Sequence, residues 1–293
     1  MNSPKVSIIC VTFNSAEFLP EFFQSVEKLP KGWAEVRFID NASKDKTVDP
    51  IRNWGWTNEL ITNPQNLGWS AANNQGIDAS KGEMILFANP DISFEPAALQ
   101  ELVRFLDERQ EFAAVAPQML NIDGSIQPSC RRLPTILDLF FQSLGLGRLF
   151  PKTFFNRWKM PDFDHKSFQE VEQPMASALL VRREVLEKVG RLDERFFVFF
   201  GDVDFAQRLR QAGLRIAFWP EAKVFHHRGG STQKMRSAFY FSSHFGFFRY
   251  LWKWSSPLEK AGLLLLLPLV FISAAGRASA YLLFRRLSFF DFS

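Results

Sequence analysis

Three stretches of the chain carry side chains able to do chemistry. Asn89-Pro90-Asp91 breaks an apolar run, "ILFANPDISF" over 85–94, and sets one carboxylate behind a proline. Pro90 makes a turn on any reading. Asp91 is also an oxygen ligand of the kind that hard divalent cations prefer. Asp202 and Asp204 open a helical pattern in "FFGDVDFAQRLRQAG". An aspartate there caps a helix and complements its dipole, and Asp204 and Arg208 have the i, i+4 spacing of an ion pair. Yet a carboxylate next to the aromatic run "RFFVFFG" would have its pKa raised toward the range of a general base. In "VFHHRGGST" (224–232), His226 and His227 end a strand pattern. Alternation sends them to opposite faces, so at most one enters a given site as a neutral imidazole ligand. Arg228 and the glycines and hydroxyls behind it could approach phosphate oxygens.

The elements that must position these groups alternate between two periods. "VSIICVTF" (6–13), "EVRFID" (35–40), "ELIT" (59–62), "EMILFA" (83–88) and "FAAVAP" (112–117) read as buried strands. Between them, 16–28, 47–53, 70–80 and 96–109 have helical spacing, with Pro20 and Pro96 tolerable only in first turns. The pattern predicts βαβ units, an α/β fold and a mostly parallel sheet, with ligands bound beyond the carboxyl ends of its strands. Thr12 and Asn14, Asp40, Asn63 and Asn66, and Asn89 and Asp91 stand at four such ends. Each alone is an ordinary turn residue, but together they favour a site. Neither a G-x-x-x-x-G-K-S/T loop nor a G-x-G-x-x-G turn follows the first strand, so a nucleotide would be held by side chains and a cation. Later, 175–181 reads as a strand, 183–189 and about 203–212 as helices, and "LRIAFWP" and "AKVFHH" as two further strands.

Composition bounds the class. With 293 residues, 46% hydrophobic and 23% charged, the chain can bury a sizeable core. Two cysteines allow no disulfide framework and no thiolate cluster. The net charge of +4 is unevenly spread: 131–159 holds six basic residues and one acid, and 223–293 ten basic and two acidic, so the remaining body is acidic. The chain also has 33 phenylalanines, more aromatic surface than such a core needs. Basic segments rich in phenylalanine suit an anionic membrane surface, and the acidic body argues against nucleic acid. No secretory signal pattern opens the chain. The uncharged run 261–276 falls short of the roughly 20 residues of a simple span, and Arg277 follows it, so a re-entrant or interfacial hairpin is expected.

Six stretches in order, "VSIICVTFN", "FIDNASKDKT", "NPQNLGWSAANNQGI", "ILFANPDISF", "MASALLVRREVLEKVGRLDERFFVFFGDVDFAQRLRQAG" and "VFHHRGGST", resemble the family-2 inverting glycosyltransferases, within them the rhamnosyltransferase-like branch. The resemblance covers most of 5–232 and implies a GT-A fold, a Rossmann-like sheet with helices on both faces. It implies a catalytic domain over 1–235, with a nucleotide-sugar half (1–120) and an acceptor half (121–235). Residues 236–293 lie outside the resemblance and are expected, from their basic and hydrophobic make-up, to form an amphipathic or hydrophobic helical tail that associates with the membrane. Thr12, Phe13 and Asn14 would line the nucleotide pocket. Asp40, with Asn41 and Ser43, would hold the pyrimidine, and Asn66, Gly68 and Asn73 would shape the sugar site. Asn89-Pro90-Asp91 would stand for the family's Asp-x-Asp motif, with Asp91 and His226 on a divalent cation, Mg²⁺ or Mn²⁺. Asp202 would be the catalytic base. The implied partners are a dTDP- or UDP-linked sugar and a glycan or polyprenyl-linked acceptor, at the cytoplasmic face of the cell membrane. One departure stands out: Gly201 occupies the place of a usual acidic residue. That leaves a catalytically impaired sugar-nucleotide-binding scaffold as the alternative to an enzyme.

Overall fold

A computed structural model of the chain describes residues 3–56, 58–227 and 238–283. The first half alternates β1 (Val6–Thr12), α1 (Leu19–Glu27), β2 (Ala34–Asp40), α2 (Val48–Asn53), β3 (Asn58–Thr62), α3 (Trp69–Ala79) and β4 (Met84–Ala88). Next come β5 (Ile92–Phe94), α4 (Pro96–Glu108), β6 (Phe112–Leu120) and β7 (Cys130–Arg131). An insertion of α5 (Ile136–Ser143), α6 (Leu146–Leu149) and a 3₁₀ turn (Phe154–Lys159) leads to β8 (Gln169–Val171), β9 (Gln173–Pro174) and β10 (Ala178–Arg182). The chain continues through α7 (Arg183–Val189), α8 (Gly201–Gln211), β11 (Arg215–His226), α9 (Ala238–Trp254) and α10 (Pro257–Leu283).

Nine strands form one sheet in the order β3-β2-β1-β4-β10-β6-β11-β5, with β8 added on β11. The strands β3, β2, β1, β4, β6 and β11 share one direction, and β10, β5 and β8 oppose it. Successive side chains leave opposite faces of a strand. Ile8 and Cys10 therefore pack with Leu19 and Phe22 of α1 and Leu99 and Leu102 of α4. Ile9 packs on the other face with Ala72 of α3 and Val203 of α8. That second core continues through Phe247 and Tyr250 of α9 to Leu263 and Val270 of α10.

Three local expectations are corrected. The two strands over 215–226 are one strand, β11, whose register against β6 shifts between Trp219 and Lys223. Pro220 lies in that gap and has no N–H to give a ladder, so the irregularity absorbs it without ending the strand. Asp202 is not the cap of α8; Phe200 takes that place at φ 71°, and the helix begins at Gly201. The apolar tail is no hairpin within 261–283 but one continuous helix that passes Pro268 and Arg277. The Arg277 guanidinium donates to the Gln142 carbonyl at 2.6 Å, so the charge is met by α5 and does not break the helix. Over 257–281 this helix has a mean hydropathy of 1.9, long and apolar enough to cross a membrane by length and composition. The Arg228-to-Thr232 run lies outside the described residues.

The tail is tied to the sheet through one buried carboxylate. Asp204 has no exposed surface and accepts from Arg208 Nε (3.1 Å), Lys253 Nζ (2.6 Å) and Trp254 Nε1 (3.0 Å). Lys253 also pairs with Asp193 at 2.8 Å, and the Tyr250 hydroxyl lies 3.0 Å from Gln207 Oε1. Removing one partner of such a cluster strands the others in a dry site. Asp204→Ala is therefore expected to lose about 3–5 kcal/mol of stability in urea unfolding, a larger loss than any exposed ion pair gives.

Candidate active site

The carboxyl ends of β1, β2 and β3 are level, because Thr12 pairs with Asp40 and Asp40 with Thr62. Asp40 is buried there. Its Oδ1 accepts from the Thr12 hydroxyl at 2.9 Å and from the Ser43 hydroxyl, and its Oδ2 from the Ser43 N–H at 2.9 Å. A carboxylate has about four acceptor positions, so these three bonds leave one, on Oδ2, for a ligand donor. Asn14, at φ 52°, closes the same loop: its N–H donates to Ser43 Oγ (2.8 Å) and its Oδ1 accepts from the Lys44 N–H (2.7 Å). Phe13 between them is half-buried.

The next residue links this corner to α3. Asn41 donates to the Gly68 carbonyl (3.1 Å), and its Oδ1 accepts from Asn63 (2.9 Å). Asn66 Oδ1 accepts from the Gly68 N–H at 2.8 Å, a tight turn into the helix. Gly68 sits at φ 87°, and a Cβ there would run into the Phe197 carbonyl, so only glycine fits. The Trp69 N–H donates to that same carbonyl. Asn73 donates to the Trp69 carbonyl at 2.8 Å and so steadies its own helix. Neighbouring Asn74, not anticipated, holds the Leu192 backbone at 2.9 and 3.0 Å.

Asn89 and Asp91 follow β4 as expected. The Asn89 N–H donates to the Ser177 carbonyl (2.9 Å) and its amide reaches Ser177 Oγ (3.2 Å). β11 runs antiparallel to β5 with His226 opposite Ile92, and the His227 N–H donates to the Asp91 carbonyl at 2.8 Å. That register brings His226 Nε2 to 3.5 Å from Asp91 Oδ1, both side chains buried. His227 turns away to Glu21 Oε2 at 2.8 Å. Gln127, a residue sequence reading missed, places its Oε1 2.7 Å from His226 Nδ1 and is itself held at 2.8 Å from Asn121. A proton on Nδ1 shared with Gln127 leaves the Nε2 lone pair facing Asp91. Donors held at roughly 2.1 Å in an octahedral shell lie about 3 Å apart, so this oxygen and nitrogen, at 3.5 Å, need approach by only about half an ångström to share one ion. The described residues contain no group of three or more His, Cys, Asp or Glu side chains that could hold an ion by itself.

Asp202 lies at the head of α8. Its Oδ2 accepts from the Gln173 amide (3.0 Å) and its Oδ1 from the Val203 N–H (3.0 Å). Burial pushes its carboxyl above the ordinary value of 3.8, while the Val203 amide, the nearby Arg131 charge and the Ala176 amide pull it back. Ala176 touches Asp202 and its neighbour Ser177 touches Asn89, so one peptide unit joins the two carboxylate regions. Gly201 closes the ring. A Cβ there would run into Ser70 Oγ, with the Trp69 ring carbons at 3.5 Å, so α3 packs where an acidic side chain would begin. The candidate residues thus form one continuous line: Asp40, Asn41, Gly68, α3, Asp202, Ala176–Ser177, Asn89, Asp91 and His226. Gln127, Gln173 and Ser177 were missed because an isolated glutamine or serine carries no local signal.

Residues 7–190 match the model of the glycosyl transferase family 2 domain. The chain belongs to that family. It is 28% identical over 274 residues to the N-acetylglucosaminyl-diphospho-decaprenol L-rhamnosyltransferase of Mycobacterium tuberculosis, covering 86% of this chain and 87% of the relative. It is 24% identical over 240 residues to the low-salt glycan biosynthesis hexosyltransferase Agl10 of Haloferax volcanii, covering 80% and 71%. Among solved structures it is similar to the mannosyltransferase PcManGT of Pyrobaculum calidifontis, in complex with GDP-Man and Mn²⁺. The TM-score is 0.60 and the identity 18%, over 96% of this chain and 76% of that one. The GT-A fold and a glycosyltransferase activity follow for this member of the family.

The Gly201 contact yields a double-mutant test. Gly201→Ala is expected to cost about 1–3 kcal/mol through overpacking against Ser70. In a Ser70→Ala background the nearest remaining contact is ordinary, so the same substitution should become neutral or slightly stabilising when unfolding is compared across the four proteins.

Proposed function

We propose that this glycosyltransferase moves rhamnose, from a dTDP-linked donor, onto a polyprenyl-linked glycan acceptor with inversion, and that Asp202 is the base. The observation that carries this is the division of labour in the first turn of α8. Asp204 is saturated by three structural donors, whereas Asp202 has a raised pKa and lies one peptide unit from the Asn89–Asp91 turn. Similarity to a rhamnosyltransferase named for a diphospho-decaprenol acceptor supports the substrate classes.

The chain's own groups account for the reaction. Asp40, braced by Thr12 and Ser43, offers its remaining acceptor position to a pyrimidine N–H. Asn41 and Asn66 hold the Gly68 turn beside the sugar. Asp202 accepts the proton of the acceptor hydroxyl as that oxygen bonds to the anomeric carbon. The bond from that carbon to the donor diphosphate breaks on the opposite side, and its electron pair leaves with the diphosphate. Gln173 and the Val203 N–H keep the carboxylate aimed while it gains the proton. Asp91 and His226 would hold a divalent cation, Mg²⁺ or Mn²⁺, which when bound offsets charge on the diphosphate. Gly201, the feature that suggested a non-catalytic scaffold, has a packing explanation in Ser70 and Trp69.

We assign the tail to the surface of an anionic membrane. Leu263, Val270 and Ala274 of α10 have no exposed surface, whereas Leu258, Leu265 and Ile272, seven residues apart on another face, are 84%, 82% and 67% exposed. The first basic segment adds to this reading, because α5 packs on α10 and Leu137, Leu144, Leu149 and Phe150 of that segment are exposed.

Two outcomes are expected. Asp202→Asn should lower kcat by about 10²–10⁴ with donor affinity retained. In the active enzyme the base must be ionised, so kcat/KM should fall as pH drops through a value above the usual 3.8, and this acid limb should vanish in the variant. Leu265→Glu with Ile272→Glu should weaken co-sedimentation with anionic vesicles while leaving the melting temperature unchanged. Undiminished sedimentation would place the membrane contact elsewhere.

A further inference from the structure

We propose that Arg131 is a binding residue for the diphosphate of the lipid-linked acceptor, a subsite that rests on the polyprenyl-acceptor reading above. The geometry starts at the base. β7 pairs with β9 so that Arg131 stands directly opposite Gln173. Residues opposed in this way have Cβ atoms about 5 Å apart on one face. Gln173 in turn donates to Asp202 Oδ2 at 3.0 Å. Arg131, Gln173 and Asp202 therefore form a row, with a cation one side chain removed from the group that takes the acceptor proton. The Arg131 charge is felt at that carboxylate, where it favours ionisation.

The surroundings suit a phosphate group. The Arg131 guanidinium lies 5.1 Å from the centre of the Trp158 ring, and the residue is partly buried. A guanidinium carries its in-plane N–H groups in a fork that matches phosphate oxygens. Trp158 is itself stacked on Phe200 (6.1 Å) and meets Phe247 of α9 (5.1 Å), which connects this spot to the helical pair carrying the apolar outer stripe. Arg132 and Arg157 pair with Asp162 and Asp138 and keep the insertion in place around it. In an acceptor of this class the attacking hydroxyl and the diphosphate are on the same sugar. With the hydroxyl at Asp202, the diphosphate lies one ring away, and Arg131 is the cation that the β7–β9 pair brings to that distance. Gly201 contributes no negative charge beside it.

The test measures binding without turnover. Farnesyl diphosphate and farnesol are titrated calorimetrically into the full chain in detergent micelles, with dTDP and Mn²⁺ present to fill the donor side. The wild type should bind the diphosphate more tightly than the alcohol. Arg131→Ala should weaken the diphosphate at least tenfold and leave the alcohol unchanged, and Arg131→Lys, with a charge but no fork, should fall between them. Equal diphosphate affinity in the wild type and Arg131→Ala would overturn the proposal. So would no preference of the wild type for the diphosphate, or an equal loss for the alcohol, which would mark a structural role at the Trp158 wall. Because no sugar is transferred in this experiment, failure of rhamnosyl transfer counts against the reaction assigned above, whereas loss of the Arg131 dependence counts against this subsite.

Discussion

Asp204 has no exposed surface, and donors from two helices converge on it: Arg208 of α8, and Lys253 and Trp254 of α9. A buried carboxylate must be matched in this way or be neutralised. Meeting that demand fixes α8 against α9, and through α9 the apolar α10. It also sets the direction of Asp202. Two residues earlier in a helix means about 200° around its axis, so the two aspartates face different neighbours. One meets cations and becomes part of the scaffold. The other meets an amide and a backbone N–H in a site whose burial raises its pKa.

The two halves of the candidate site are built differently. Near the N-terminus the groups come from level ends of parallel strands, and their orientation follows from the Thr12–Asp40–Thr62 register. Later in the chain they come from short pieces, β7, β9 and the Ala176–Ser177 peptide, braced by side chains. Gln127 fixes the His226 ring, and Gln173 fixes the Asp202 carboxylate. Where backbone ladders are short, side-chain hydrogen bonds take over the positioning.

The C-terminal helix shows why hydropathy alone misjudged the tail. Both stripes of α10 are built from Leu, Val, Ile and Ala, so the sequence has no polar face from which to infer which side is buried. The partition comes from α9 and α5, which cover Leu263, Val270 and Ala274 and leave Leu265 and Ile272 bare. The two basic, phenylalanine-rich segments lie more than sixty residues apart in sequence and meet at the Arg277–Gln142 contact.

Much of the N-terminal part of the fold was legible from local rules. Strand and helix periods placed β1 to β4 and α1 to α4, and Asn, Asp and Thr at strand ends marked the edge where the candidate residues gather, because both signals depend on near neighbours in the chain. The Asp204–Arg208 pair was legible for the same reason, a spacing of one helical turn. Tertiary structure decided what depends on distant partners. It assigned Asp204 to the scaffold by bringing Lys253 to it. It explained Gly201 by placing Ser70 where a Cβ would go. It supplied Gln127 and Gln173, and it joined β11 into one strand around Pro220. A residue's type and spacing determine what it can do; which atoms lie within hydrogen-bonding reach of it is set only when segments far apart in the chain are packed together.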